Sequence, residues 1–277
     1  MNYRFLKFPG FKTKALTLSY DDGVRFDKRL TEILDAYGLK CTFNINSELF
    51  AEKEGEWRLT EKAAKALYSG GAHEVAVHGA KHLSLTEVSD AAALREILTD
   101  KEKLEKLFGV IITGMAYANG SCDERTATLC AQCGIKYART TVSTGKFDIP
   151  QNWLLMSATC HHNDPRLGEL TDKFLSDERH PYFWANPPKL FYLWGHSYEY
   201  NDNDNWSVIE AFAKKTGRRD DIYYATNGEL YSYVKAFDSL ITSADGMLVH
   251  NPTCTDVYMD YYDKDILIGA GKTVSLR

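Results

Sequence analysis

The chain has 277 residues, 44% hydrophobic and 26% charged, which is enough to bury a full core as one large domain or as one domain with a small appendage. It has no apolar stretch of about 18 residues, so we expect no membrane span. Residues 1–14 lack the apolar region of a secretory signal, so we expect a cytoplasmic protein. With a formal net charge of −5 and no basic cluster, nucleic-acid and anionic-membrane partners are not expected.

Short apolar runs alternate with helical patterns over most of the chain. Six apolar runs predict strands, at residues 15–20, 41–46, 73–78, 110–117, 136–141 and 189–196. Apolar residues at helical spacing predict helices, at residues 26–37, 59–71, 85–109, 123–134, 166–178, 205–217 and 227–240. Thr86 is a candidate N-cap of the third helix, and residues 142–165 show no regular pattern.

The repeated strand–helix order predicts an α/β fold with parallel strands and right-handed crossovers. Six or seven such units in one chain favour a barrel over an open sheet. After residue 240 the pattern changes to short β-like runs separated by Asp, Gly and Asn turns. We therefore predict a barrel domain at 1–240 and a small β appendage at 241–277.

Polar residues follow several of the predicted strands at their carboxyl ends, where parallel α/β proteins place their sites. In chain order they are Asp21, Asp22, His78, His82, Tyr117, Asn119, Arg139 and His196. Because these strand ends would meet at one rim of the barrel, we expect the side chains to gather there. This convergence is a stronger signal than any single motif.

His78 and His82 are separated by three residues, and one helical turn would direct both imidazoles to the same side. Two histidines and one carboxylate form a common catalytic zinc set. The His-x₃-His spacing alone is weak, because two unrelated polar histidines produce it as well.

The adjacent Asp21 and Asp22 pose an electrostatic problem, since like charges in close contact repel. If Asp22 binds a divalent cation, its charge is offset, and Asp21 beside it can act as a general base. The alternative is that Asp-Asp-Gly simply turns the chain and caps the next helix.

Four stretches of the sequence resemble the polysaccharide deacetylases, carbohydrate esterase family four. "LTLSYDDG" is similar to the Thr-Phe-Asp-Asp-Gly motif of that family, and "HGAKH" to its His-Ser/Thr-x-x-His motif. "LKCTFNIN" resembles its Ala-Thr-Phe-Phe strand and "FYLWGH" its late Leu-x-Leu-His motif. The resemblance covers roughly residues 14–240 and implies a distorted (β/α)₇ barrel that removes acetyl groups from N-acetylated or O-acetylated sugars with a divalent metal.

The resemblance also implies a role for individual residues. Asp21 would be the catalytic base, and His196 the general acid that protonates the leaving amine, although a structural histidine is a fair alternative for His196. Asp22, His78 and His82 would bind one divalent metal. Zinc is the expected ion, with cobalt, nickel and iron compatible with the same ligands.

The third family motif, Arg-x-Pro-Tyr-Gly, is altered. The matching stretch is "MAYANG", where Ala116 replaces the arginine that holds the base and Asn119 replaces the tyrosine. We predict that Arg139, at the end of the next strand, makes the charge-assisted bond to Asp21 instead, unless it is an ordinary packing arginine. The backbone N–H of Asn119 remains available to an oxyanion, and Tyr117 is a further candidate substrate or oxyanion contact.

The family's Asp-Trp motif is not found; "TCHHNDP" at 159–165 occupies its region, and its two histidines are not expected to bind metal. Trp194, Tyr198 and Trp206 flank His196 and are candidates for an apolar wall that receives the acetyl methyl group or stacks on a sugar. Glu199, three residues after His196, is a candidate partner that raises the pKa of His196.

The leading interpretation is a metal-dependent carbohydrate deacetylase with a carbohydrate as its partner. One alternative is an amidohydrolase on cyclic imides or small amides, and another is a carbohydrate-binding pseudoenzyme, in keeping with the altered third motif. The last alternative is an α/β domain without a catalytic site, in which the histidines at the strand ends have no shared role. The sequence does not fix the acyl sugar or the oligomeric state.

Overall fold

The computed structural model describes residues 2–177 and 187–277 of the chain. Its strands within these ranges are β1 (Leu6–Lys7), β2 (Lys14–Asp21), β3 (Cys41–Ile45), β4 (Glu74–Val77), β5 (Gly114–Ala116), β6 (Tyr137–Ser143), β7 (Met156–Ala158), β8 (Cys160–His161), β9 (Lys189–Gly195), β10 (Ile222–Tyr224), β11 (Ile241–Thr242), β12 (Leu248–His250), β13 (Val257–Asp260), β14 (Asp265–Ile268) and β15 (Thr273–Ser275).

Its α-helices are α1 (Asp27–Ala36), α2 (Glu61–Tyr68), α3 (Asp90–Phe108), α4 (Glu124–Gln132), α5 (Leu167–Leu175), α6 (Ser197–Asp202), α7 (Ser207–Thr216) and α8 (Asn227–Asp238). No helix in the described part of the chain combines the length and the apolar composition that a membrane span requires.

The parallel strands close into a ring. β2 pairs with β3, and the order continues through β4 and β5 to β6, while β9 pairs with the other side of β2. β7 pairs with β6, whereas β8, directly after it, pairs with β9, so residues 156–161 join the two ends of the sheet. With β7 and β8 counted as one interrupted strand, the described residues form a seven-stranded barrel, and the predicted α/β barrel class is confirmed.

The sequence patterns explain why these segments form the barrel wall and its outer layer. Every residue of β2 is buried, as expected for a parallel strand covered on both faces. The helices pack one apolar face inward, as Leu30 and Leu34 of α1 do. Asp123 and Thr226 form capping boxes that fix where α4 and α8 begin.

Several boundaries differ from the prediction. The third helix begins at Asp90 with Ser89 as its N-cap, because residues 85–87 form a separate 3₁₀ turn, so the assignment of Thr86 was wrong. The strand predicted at 110–117 is only β5, since Val110 and Ile111 are 52% and 85% exposed and pair with no neighbouring strand. Of the helix predicted at 166–178, α5 covers Leu167–Leu175 and ends at Ser176, whose backbone is extended; residue 178 lies outside the described ranges.

Several short elements were not predicted, among them three strands and one helix. Residues 142–165 contain β7 and β8, and β10 pairs with the first residues of β2. The turn after His196 forms the short helix α6. Strands of two or three residues carry no periodicity, so their pairing partners rather than their own sequence define them.

The C-terminal residues form short β-strands, as predicted, and these strands pair in antiparallel fashion. β11, β12 and β15 make one small sheet, while β13 and β14 make another that includes β1 from the other end of the chain. Val249, Met259 and Ile268 from these sheets share a buried cluster with Val234 and Phe237 of α8. The appendage therefore packs directly on the barrel, and the domain boundary at 240 stays a prediction.

Candidate active site at the carboxyl ends of the strands

The two adjacent aspartates lie at the mouth of the barrel. Asp21 is the last residue of β2, and the backbone N–H of Asp22 donates to the carbonyl of Asn44 at 2.9 Å. Asp22 has a φ of 84°, in the left-handed region that few residues other than glycine adopt. Both side chains are buried, with residue exposures of 2% and 8%. The turn therefore directs two carboxylates into one enclosed space.

Asp22, His78 and His82 form a candidate cation site, with one ligand atom from each lying within 4.8 Å of the others. The Oδ1 atom of Asp22 is 4.0 Å from Nε2 of His78 and 3.7 Å from Nε2 of His82. The two histidines converge through a turn, with His82 at a φ of 61°, and not through the helical turn that their spacing suggested.

The donor set fits a divalent metal of the zinc type. Nδ1 of His78 lies 2.9 Å from the carbonyl of Ala116 and must donate to it, which leaves the Nε2 lone pair of His78 directed toward Asp22. Two imidazole nitrogens and one carboxylate oxygen are ligands that zinc and its neighbours accept, and three protein ligands leave room for water and substrate.

Asp21 is held by an arginine and an amide. Arg139 donates to Oδ2 of Asp21, and the Nδ2 group of Asn44 donates to its Oδ1 at 2.8 Å. Burial by itself would raise the pKa of Asp21, but the positive charges of Arg139, His78 and His196 lower it to about 2. The carboxylate is therefore ionised at neutral pH. The Arg139–Asp21 contact predicted from the sequence is present.

Arg139 is itself fixed in place. It is 1% exposed, its Nη1 donates to the carbonyl of Thr140 at 3.1 Å, and its guanidinium lies 4.4 Å from the ring centroid of Trp194. Trp194 donates its indole N–H to Ser143 at 3.1 Å. Trp194 is thus a support for the arginine at the barrel mouth, and a role in receiving the acetyl methyl group stays a prediction.

His196 follows β9, the strand that pairs with β2, and its ring faces Asp21. Its Nε2 lies 3.8 Å from Oδ2 of Asp21, and its Nδ1 lies 3.2 Å from Oε1 of Glu199. Burial opposes the charged form, but Glu199, Asp21 and Asp22 together raise the pKa of His196 above its ordinary value. Glu199 is the partner that the sequence suggested.

Glu199 also contacts the two histidines of the "TCHHNDP" segment. Its Oε2 lies 3.2 Å from Nε2 of His161 and 2.9 Å from Nε2 of His162. Burial would raise the pKa of Glu199, but these imidazoles and His196 hold it well below its ordinary value. His161, His196 and Glu199 also place one ligand atom each within 4.8 Å of the others, so this cluster could accept a cation as well.

The backbone at Gly195 is what allows His162 to lie there. His162 stacks against Tyr200 with ring centroids 4.1 Å apart and against Tyr20 at 5.7 Å. A Cβ atom at Gly195 would lie 2.0 Å from Nδ1 of His162, closer than any real contact. Glycine at this position therefore lets the imidazole pack directly against the backbone of β9.

Not every predicted residue reaches the site. Tyr117 is 1% exposed, and its hydroxyl donates to the carbonyl of Leu154 at 2.8 Å, so its side chain belongs to the core and not to a substrate contact. Trp206 is also buried, against Tyr200 and Arg29, and forms no wall beside His196. Asn119 is exposed at a φ of 57°, and its role stays a prediction.

Three contributors were missed. Asn44 contacts Asp21, and Asn46 contacts the carbonyls of His78 and Gly79. Both asparagines close the run "CTFNIN", and the strand-end argument applied to the other strands would have found them. Arg58 contacts Asp22 at 3.2 Å from a loop 36 residues away, and nothing in the sequence marks it.

An aromatic pair borders the opening. The ring centroids of Trp57 and Tyr198 are 5.2 Å apart, and Tyr198 is 5.2 Å from the ring of His196. Trp57 is 43% exposed, so a large apolar face is open to solvent beside the mouth.

Residues 9–138 match the family model for polysaccharide deacetylases. This segment, which contains Asp21, Asp22, His78 and His82, is similar to that family over just under half of the chain. Arg139 and His196 lie outside the segment and are placed beside it by the fold. A search of curated proteins found no match.

Solved structures agree on the fold. A protein from Mycobacterium smegmatis assigned to the polysaccharide deacetylases is 17% identical, with a TM-score of 0.58 over 84% of this chain and 94% of that one. The chitin deacetylase of Colletotrichum lindemuthianum is 18% identical, with a TM-score of 0.53 over 79% of this chain and 87% of that one. A CE4 family pseudoenzyme from Bacillus anthracis is 14% identical, with a TM-score of 0.50 over 82% and 68%.

Two further solved deacetylases match with TM-scores below 0.5, and this chain spans 55% and 44% of their lengths, about half of each. At these identities the solved structures establish the barrel and not the reaction.

Proposed function

We propose that this chain is a metal-dependent hydrolase that removes acetyl groups from N-acetylated or O-acetylated sugars. The observation that carries the proposal is the meeting of four groups at one mouth: the Asp22, His78 and His82 cation site, and Asp21 beside it with Oδ2 3.9 Å from Nε2 of His78. A divalent ion held there would polarise the acetyl carbonyl and lower the pKa of water into the reach of a weak base such as Asp21.

Asp21 is suited to take up a proton from the attacking water. It is ionised at neutral pH because its pKa is about 2, and Arg139 and Asn44 keep its two oxygens in a fixed orientation. Arg139 replaces the arginine missing from the altered third motif. The base therefore has its orienting partner even though Ala116 stands at the usual position.

His196 is suited to return a proton to the leaving nitrogen. Glu199 faces its Nδ1, so the proton that it can donate is on Nε2, which points into the mouth toward Asp21. The raised pKa of His196 keeps a larger share of the ring protonated near neutral pH. A base and an acid whose pKa values differ in this way form a complete acid–base pair.

A carbohydrate substrate is supported by the aromatic pair at the opening. Trp57 and Tyr198 offer apolar ring faces beside His196, the type of surface on which pyranose rings stack. A cyclic imide or small amide would use the same acid–base pair without needing this surface, so the carbohydrate is the preferred substrate class.

The test is acetate release from a panel of acetylated sugars by zinc-loaded protein, with and without chelator. Acetate should appear with zinc, disappear with chelator, and fall at least about 100-fold in Asp21→Asn. Asp172→Asn, which changes an exposed aspartate away from the mouth, is the matched control. Turnover of a cyclic imide without acetate release would select the amidohydrolase, and sugar binding without any turnover would select the pseudoenzyme.

A further inference from the structure

Arg58 makes two contacts with the aspartate of the candidate cation site and a third with Asn46. Its Nη1 donates to the backbone carbonyl of Asp22 and, at 2.8 Å, to Oδ1 of Asn46, while its Nη2 donates to Oδ1 of Asp22 at 3.2 Å. The side chain is only 18% exposed. The guanidinium therefore holds both the backbone and the carboxylate of a residue whose φ is 84°.

The same contact links the two halves of the site. Asn46, which accepts from Arg58, donates its Nδ2 to the carbonyls of His78 and Gly79 at 3.0 and 2.7 Å. Asp22 and the loop that carries His78 are thereby joined through one arginine and one asparagine. This arrangement orients the ligands before any ion arrives.

Arg58 approaches the oxygen that the cation needs. Oδ1 of Asp22 is the atom that faces Nε2 of both His78 and His82, and it is also the atom that accepts from Arg58. A dication at this oxygen would lie close to a permanent positive charge in a partly buried place, where charges interact more strongly than in water. The guanidinium thus stabilises Asp22 without an ion and opposes the ion when it binds.

Charge balance supports this interpretation. The mouth holds two adjacent carboxylates and two guanidinium groups, Arg139 on Asp21 and Arg58 on Asp22. The two arginines therefore offset the repulsion between the adjacent carboxylates of Asp21 and Asp22, even without a cation. A cation enters a site that is already balanced, so its affinity is reduced.

We propose that Arg58 is a positioning residue that sets the affinity of this site, keeping Asp22 in place while making the bound divalent ion weaker and more exchangeable. The inference rests on the proposed function, since it assumes that Asp22, His78 and His82 bind the ion. A purely structural role for Arg58 leads to the opposite expectation, because removal of a structural support can only weaken binding.

The experiment measures the zinc dissociation constant and release rate by competition with a chromophoric chelator. Arg58→Gln keeps an amide donor for Asn46 or the Asp22 carbonyl and removes the charge; it should bind zinc at least about 10-fold tighter and release it more slowly. Arg58→Lys keeps the charge and should stay within about threefold of the parent. Arg25→Gln, on an exposed arginine that contacts Gly55 and not the site, is the matched control.

Unchanged or weaker binding in folded Arg58→Gln would overturn the proposal. If that variant does not fold, a loss of 10-fold or more in Arg58→Lys would overturn it equally, because charge would then not be the deciding property. Zinc binding that is absent from the parent, or unaffected by Asp22→Ala, would instead refute the metal site of the proposed function.

Discussion

Asp21 ends β2, and Asp27 begins α1 six residues later. Both side chains are buried, but the pKa of Asp21 is lowered and the pKa of Asp27 is raised. Asp21 is 2% exposed and Asp27 is 0% exposed. Burial raises the pKa of Asp27 to about 7, where hydroxyl donors from Ser197 and Tyr68 are its side-chain partners, while Arg139 helps to hold the pKa of Asp21 at about 2.

The difference shows what a buried carboxyl needs to keep its charge. Neutral donors satisfy the oxygens of Asp27 without offsetting the cost of burying an anion, so protonation is the easier outcome. A guanidinium in contact offsets that cost for Asp21. The carboxylate of Asp21 at the barrel mouth therefore keeps its charge, whereas the carboxyl of Asp27 stays neutral among its hydrogen-bond partners below about pH 7.

The largest effect should come from removing the cation partner of Asp21. Arg139→Ala leaves a buried carboxylate without its counter-charge, and we expect a loss of about 3–5 kcal/mol in the free energy of unfolding at pH 7. Urea unfolding measures it. The double variant Asp21→Asn/Arg139→Met should recover most of that loss while remaining inactive in acetate release. If Arg139→Ala is as stable as the parent, the ion pair between Arg139 and Asp21 does not stabilise the folded protein.

A smaller effect, a gain in the free energy of unfolding, is expected from Asp27→Asn. Above an unfolded pKa near 3.8 the unfolded carboxyl ionises, while the folded one stays protonated until about pH 7, so this group costs stability progressively across that window. The variant removes the cost, because one hydroxyl partner can still donate to the amide oxygen while the other accepts from the amide nitrogen.

Relative to the parent, Asp27→Asn should therefore gain roughly 2 kcal/mol between pH 4 and pH 8. The measurement is chemical unfolding at several pH values, with Asp172→Asn as the exposed control. A stability difference that does not change with pH would mean that Asp27 is ionised in the folded protein, and the contrast with Asp21 would disappear.

The smallest expected effect is a change in the pH profile of activity when Glu199, whose partners are imidazoles, is replaced. Glu199→Gln removes the charge that raises the pKa of His196, so the basic limb of the kcat/KM profile should move to lower pH. Asp202→Asn, an exposed acid on the same helix α6, should leave the profile unchanged. A basic limb at its original pH in Glu199→Gln would exclude Glu199 as the group that tunes His196.

Much of this arrangement could be predicted from the sequence. The alternation of apolar runs and helical patterns gave the barrel, and the rule that parallel strands end at one rim brought Asp21, Asp22, His78, Arg139 and His196 together. These predictions succeeded because they depend on strand order and direction, which local patterns carry.

The parts of the fold and of the candidate site that were not predicted depend on features that local sequence patterns do not contain. Tyr117 follows a strand at the rim, yet its side chain turns to the core, because successive residues in a strand face opposite sides and the sequence does not state which side each residue takes. Arg58 reaches Asp22 from a loop, through a contact that only the folded chain creates. The pairing of β7 and β8 likewise exists only when both neighbours are in place.

The close approach of Gly195 to His162 has a consequence for related chains. Because even one methyl group at position 195 would occupy the place of the imidazole, the two positions cannot change independently. A homologue with alanine or serine at 195 must have lost the ring at 162 or moved β8 away from β9, and with it one of the contacts that surround Glu199. Covariation of this pair across species would be an evolutionary record of the cluster behind the proposed acid.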